Sequence, residues 1–131
     1  MLRPVSLLLV LAAIGLGACG GDDQEDVEQT VRDFVSVSRE PDPDVFCGEI
    51  LSQELLEQTT GATGAGAEDQ CRRQLAGAKG VNAELIEIRS TEIDGDEATV
   101  LAVIRTQGRS RTRLLRLKQD DGRWKLSGGA P

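Results

Sequence analysis

Glu97-Ala98-Thr99-Val100-Leu101-Ala102-Val103-Ile104-Arg105-Thr106-Gln107, set between Asp94-Gly95 and Gly108-Arg109, decides the fold of this 131-residue chain. Ala98, Val100, Ala102 and Ile104 alternate onto one face, while Leu101 and Val103 take the other. Period-two alternation with apolar residues on both sides predicts a strand partly covered on each face. The flanking glycine pairs are hairpin turns. Outward from them, Val81 to Ile93 is rich in Ile and Leu, and Ser110 to Gln119 carries Leu114, Leu115 and Leu117 among arginines. Asp120-Asp121-Gly122 makes a third turn, and Arg123 to Ser127 closes with Trp124 and Leu126 on one side. Three consecutive hairpins predict an antiparallel four-stranded meander.

Upstream the period changes from two to 3.6. Asp23 is a candidate cap, and Val27, Val31, Phe34 and Val35 form one apolar stripe of a helix ending near Arg39, ahead of Pro41. Asp42-Pro43 restarts a helix with a capping acid and an N1 proline; Val45, Phe46, Ile50 and Leu51 are its stripe. Ser52 caps a turn holding Leu55 and Leu56. Thr59 to Ala67, without charge or bulk, predicts a flexible loop. A further helix runs from about Ala67 to Ala76, with Glu68 and Arg72 paired outside and Cys71 and Leu75 inside. Helices followed by a meander define an α+β fold, with N-terminal helices packed on a curved antiparallel four-stranded sheet.

The extreme N-terminus states an address. Arg3, the 12-residue apolar run Val5 to Leu16, and Gly17-Ala18-Cys19 resemble the signal and lipobox of a bacterial lipoprotein. The run is too short to span a bilayer, which takes roughly 20 apolar residues. The resemblance implies cleavage before Cys19 and a lipid on its sulfur, so that the chain is exported and anchored to the outer face of the cell membrane. The expected divisions are a signal at 1–18, a lipidated tether at 19–23, the folded domain at 24–127 and a tail at 128–131. The mature 113 residues make one domain. With Cys19 taken by lipid, Cys47 and Cys71 remain. Export favours a disulfide between them; two buried free thiols are the alternative. No metal is expected of one cysteine pair in a chain without histidine.

The succession of amphipathic helix, proline break, short helices bearing Cys47 and Cys71, and four strands ending in Asp121-Gly122-Arg123-Trp124-Lys125-Leu126 resembles the nuclear transport factor 2-like cone fold. It is similar, more narrowly, to small actinobacterial lipoproteins of that superfamily, and the excess of arginine over lysine fits a GC-rich source. A cystatin-like sheet wrapped on a helix gives a comparable pattern. The superfamily includes ketosteroid isomerases, whose cone uses a tyrosine and aspartates. This chain has neither tyrosine nor histidine, so no catalytic residue carries over.

Charge is lopsided. Residues 19–80 carry fourteen acidic and five basic side chains, and residues 101–127 carry eight basic and two acidic. Asp42, Asp94, Asp120 and Asp121 read as caps and turn residues; Glu49 and Glu87, nearer apolar neighbours, are the carboxylates best placed to enter the cone. Serine and threonine nucleophiles lack a histidine base. Arg111 and Arg113 share one strand face, with Arg109 near the turn. One reading is a solvated outer face whose long stems cover apolar surface. The other is a surface for an anionic partner: phospholipid headgroups, wall polymer, an acidic envelope protein, or the acidic helices of a second copy in a homodimer. Nucleic acid is not an expected partner outside the cell. The expected function is therefore non-catalytic and cofactor-free. Either the cone holds a small apolar ligand against Phe34, Phe46 and Trp124, or these side chains fill the core and the arginine-rich sheet is an interaction module.

Overall fold

The computed structural model describes residues 20–130. The expected signal and the lipidated Cys19 lie outside the described residues. Helix α1 (Gly20–Arg39) buries Val27, Val31 and Val35 on one stripe. It begins inside the segment expected to be a tether, and Asp23 lies in its first turn instead of capping it. Acidic residues there suit the positive end of the helix dipole. At the other end the chain leaves the helix before Pro41.

Asp42 caps α2 (Pro43–Val45), accepting from the N–H groups of Asp44 and Val45 at 3.0 and 3.3 Å. The helix runs straight into a π-helical turn (Phe46–Ile50) that ends where Leu51 N–H donates to the Phe46 carbonyl. Leu51, expected as the last member of a helical stripe, is extended and bridges to Leu126 in parallel fashion. Ser52, wholly buried, donates its N–H to the Leu126 carbonyl and caps α3 (Gln53–Thr60) through Oγ.

The stretch expected to be a flexible loop is shorter and better held. Only residues 61–64 separate α3 from α4 (Ala65–Leu75). Gln53 Nε2 donates to Glu57 Oε2 at 3.0 Å and to the Gly64 carbonyl at 2.9 Å, and Gly64 N–H donates to Glu57 Oε2 at 3.2 Å. These donors hold the Glu57 carboxyl below the ordinary glutamate pKa, against a smaller opposing effect of burial. A Cys47–Cys71 disulfide, Cα to Cα 5.9 Å, ties the π-turn to α4. Arg72 sits beside it. Its Nη2 donates to Glu68 Oε1 at 2.8 Å, and its Nε lies 2.9 Å from Asp44 Oδ1 but off the N–H direction, a Coulombic contact without a hydrogen bond.

Strands β1 (Ala83–Asp94), β2 (Glu97–Thr106), β3 (Arg109–Asp120) and β4 (Arg123–Ala130) form one antiparallel sheet in sequence order. Strand β4 outruns its expected end at Ser127. Gly128, Gly129 and Ala130 pair with Arg116, Leu115 and Leu114, so most of the supposed tail is strand. Register shifts at Ile86 and Arg89 in β1, and at Ser127 in β4, add residues without partners. Such bulges bend a strand and sharpen its twist, which curves the sheet around α1. They also explain why Ile86, in the first bulge, is 41% exposed.

The concave face carries Ala98, Val100, Ala102 and Ile104 of β2, Leu115 and Leu117 of β3, and Trp124 and Leu126 of β4, all buried. On the convex face Val103 is also buried. Arg89 pairs with Glu87 at 2.8 Å and reaches Thr112 Oγ1 at 3.5 Å, so its stem crosses β2 where Val103 stands between Glu87 and Thr112.

Candidate ligand-binding cleft

The turn between β2 and β3 sets the site. Gln107 and Gly108 both have positive φ, 51° and 79°, the backbone of a two-residue hairpin turn whose twist matches that of the strands. Thr106 therefore faces Arg109, Ile104 faces Arg111 and Ala102 faces Arg113. Residues directly opposite in a ladder project to the same face. Arg109, Arg111 and Arg113 thus belong to the concave face, continuous with the core. The face is the concave one, and Arg109 and Arg111 are exposed on it. The same alternation that places Ile104 inside places Arg111 there once the two-residue turn is counted.

Beneath these arginines α1 does not fill the concavity. Its last turns contribute Phe34, Val35 and Ser38 to a slot of about 320 Å³. The sheet contributes Ala83 from β1, Ile104 and Thr106 from β2, Arg113 and Leu115 from β3, and Gly129 from β4, with Val81 at the approach to β1. The lining is mostly apolar, and space persists because two wall positions, Ala83 and Gly129, are small. A neighbouring hollow of about 440 Å³ is lined by Ile104, Thr106, Gln107, Arg109, Arg111 and Arg113. The two share Ile104, Thr106 and Arg113, so an apolar slot opens onto a basic mouth. Arg113 is half-buried, while Arg109 and Arg111 are exposed. Among the described residues none of the three takes part in an ion pair.

The edge of the slot is fixed by one glycine. A Cβ at Gly80 would overlap the Arg39 carbonyl, and Val81 N–H donates to the Ser38 carbonyl at 2.8 Å. The chain therefore passes from α4 to β1 tight against the end of α1.

The three aromatic candidates separate. Phe34 and Phe46 stack with ring centroids 6.3 Å apart, and Phe34 lines the slot on its other side. The pair also lines a second apolar hollow of about 310 Å³ with Leu51, Leu55, Leu75 and Leu126. Trp124 does not join them. It pairs with Gln119 at the opposite end of the sheet, is 5% exposed, and donates Nε1 to Asp23 Oδ1 at 3.4 Å. Its carbonyl accepts from Thr30 Oγ1 at 2.9 Å. Glu49 and Glu87 are both exposed, and neither lines the slot; Glu87 is occupied by Arg89. Among the described residues no cluster of three metal-ligating side chains is present, and no helix is long and apolar enough to cross a membrane. Ser38, Val81, Ala83 and Gly129, which line the slot, were not candidates from sequence. Only the strand register and the end of α1 bring them together.

No protein-family model and no curated protein matches the chain. Solved structures do. An NTF2-like family protein from Streptomyces avermitilis, described as a candidate dehydratase, superposes with a TM-score of 0.54 at 16% identity, over 82% of this chain and 93% of its own. The intermembrane-space region of the chloroplast protein ARC6 gives 0.52 at 17% identity, over 82% and 95%. A phospholipid-binding protein from Ralstonia solanacearum gives 0.44 at 16% identity, over 81% and 75%. The first likeness shows an NTF2-like fold, as the resemblance of the helix-and-meander pattern implies.

Proposed function

We propose that this chain is an exported, lipid-anchored envelope protein that binds a small ligand with an apolar body in the cleft between α1 and the sheet, without catalysing a reaction on it. The observation that carries the reading is the slot itself. It is a concave, mostly apolar cavity of about 320 Å³ next to a small number of convergent polar groups, the general form of a small-molecule site. Its volume is at the low end of the usual range of roughly 300–1,000 Å³, which suits a slender ligand. The disulfide fits an oxidising compartment, and the lipobox-like Gly17-Ala18-Cys19 supplies the anchor. Arg109, Arg111 and Arg113, the surface of the interaction-module alternative, line the mouth of this cleft.

A titration tests the cleft. The chain from Gly20 onward, secreted behind an ordinary secretory signal, carries every described residue and no lipid of its own. An environment-sensitive apolar dye is expected to bind it at one site. Ala83→Phe places a ring in the slot and is expected to abolish the signal while leaving the circular dichroism spectrum unchanged. Equal dye binding by parent and variant would overturn the reading. The anchor is tested separately: Cys19→Ala in the full chain is expected to leave the membrane fraction or remain unprocessed, and membrane retention at parental level after normal cleavage would rule it out.

A further inference from the structure

We infer that the ligand is an anionic amphiphile, its single apolar chain in the slot and its carboxylate or phosphate head held by Arg113 and Arg111, with Arg109 at the rim. This rests on the cleft being a ligand site, as proposed above. Three observations carry it.

The first is the distribution of partners. The chain has 22 acidic residues against 15 basic, and four of the eleven other basic side chains among the described residues stand in ion pairs. Arg72, Arg89, Arg105 and Lys118 together make six ion-pair contacts. Arg109, Arg111 and Arg113 make none among the described residues. They stand two residues apart along one face of one strand, a Cα spacing of about 7 Å, where like charges repel. Their cross-strand neighbours Thr106, Ile104 and Ala102 are uncharged. Among the described residues this cationic triplet has no ion-pair partner.

The second is continuity. The triplet does not point away from the apolar slot; Arg113 is a wall of both hollows. Arg113 is half-buried, and an arginine so placed can lay its apolar stem against the lining while its guanidinium reaches water. A bound molecule with a buried chain would therefore present its head to Arg113 first. The third is chemistry. Guanidinium groups offer paired N–H donors that match carboxylate and phosphate oxygens, and charge-assisted bonds of this kind are the strong ones.

Three eight-carbon probes decide the matter by calorimetry at low salt: octanoate, octyl phosphate and octanol, with inorganic phosphate as a fourth. Octanoate or octyl phosphate is expected to bind at least about tenfold more tightly than octanol, the gain of one good charge-assisted contact. Which of the two anions is preferred separates a fatty-acid head from a phosphorylated one. Arg109→Gln with Arg111→Gln, two residues that line the mouth but not the slot, is expected to reduce the preference severalfold and leave octanol binding in place. If octanol binds the parent as tightly as both anions, or the double variant keeps the full preference, the inference fails while the cleft remains a ligand site. If inorganic phosphate binds as tightly as octyl phosphate, the triplet is a simple anion site and the amphiphile is wrong. If none of the octyl probes binds, the proposed function fails with it. Sedimentation of the parent at the same salt closes the remaining route. Self-association that the double variant abolishes would assign the arginines to a second copy and overturn the inference.

Discussion

Arg111 stands directly across from Ile104 on the concave face of the sheet. Ile104 is buried against the core; Arg111, on the next strand, is exposed at the mouth of a cavity that Ile104 lines. The core of this protein therefore grades into its cleft along a single face, from Leu117 through Leu115 to Arg113, Arg111 and Arg109. Apolar burial holds the fold at one end, and positive charge waits at the other.

The disulfide should matter to stability. It closes a loop of about 25 residues between the π-turn and α4, for which chain entropy gives roughly 3.5 kcal/mol. Cys47→Ser with Cys71→Ser is expected to lose about that much in urea unfolding under oxidising conditions. A double variant as stable as the parent would show that the helices are clamped by packing alone.

Gly80 should tolerate no side chain. Its missing Cβ is what lets the chain pass the Arg39 carbonyl. Gly80→Ala is expected to cost on the order of 2 kcal/mol or more, and to disturb the slot through Val81 and Ala83. Gly66, with open space around it, is the control. Gly66→Ala, inside α4, is expected to stabilise slightly, because alanine is the better helix former.

Glu57 should make stability sensitive to acid. Its folded pKa is lowered by the Gln53 and Gly64 donors, so its contribution is present above the unfolded glutamate value of about 4.3 and is lost as pH falls through the lower folded value. Glu57→Gln is expected to be less stable than the parent at neutral pH, with the gap closing toward pH 3. A gap that widens in acid would reverse the sign and exclude this origin. Lys118 works in the opposite direction. Its pKa is raised by Glu54, so its contribution holds below the unfolded lysine value and fades as pH rises through the raised one.

Trp124 should behave as core and not as cleft. Trp124→Phe keeps an apolar ring and removes the Nε1 donor to Asp23. The expected cost is about 1 kcal/mol, with the dye affinity of the slot unchanged. A large change in affinity with little loss of stability would place the tryptophan in the ligand site.

Much of the architecture is legible in the chain. Glu97 to Thr106 alternates because a strand with a core on one face demands it, and Gly95, Gly108 and Gly122 stand where tight turns need positive φ. Asp42 and Ser52 announce their helices by capping chemistry alone. What escaped lies beyond local pattern. α1 starts at Gly20, ahead of Asp23, the residue whose capping chemistry suggests the helix start. The pairing of Gly128 and Gly129 depends on β3, not on strand propensity, which glycine lacks. The 61–64 loop is held by Gln53 and Glu57, seven or more residues from Gly64. The arginines were visible as a cluster. Their side of the sheet follows from register, and their neighbours Ser38, Ala83 and Gly129 come from three other elements that sequence spacing does not relate.

The cleft as a ligand site is tested most directly by native mass spectrometry of the parent chain from Gly20 onward and of its Ala83→Phe variant, each secreted by the source organism behind an ordinary secretory signal and purified without detergent. The parent is expected to carry an added mass that denaturation releases as an anionic, chain-bearing molecule, and Ala83→Phe is expected to run at its bare mass. Identical spectra apart from the substitution, whether both bare or both loaded, would contradict it.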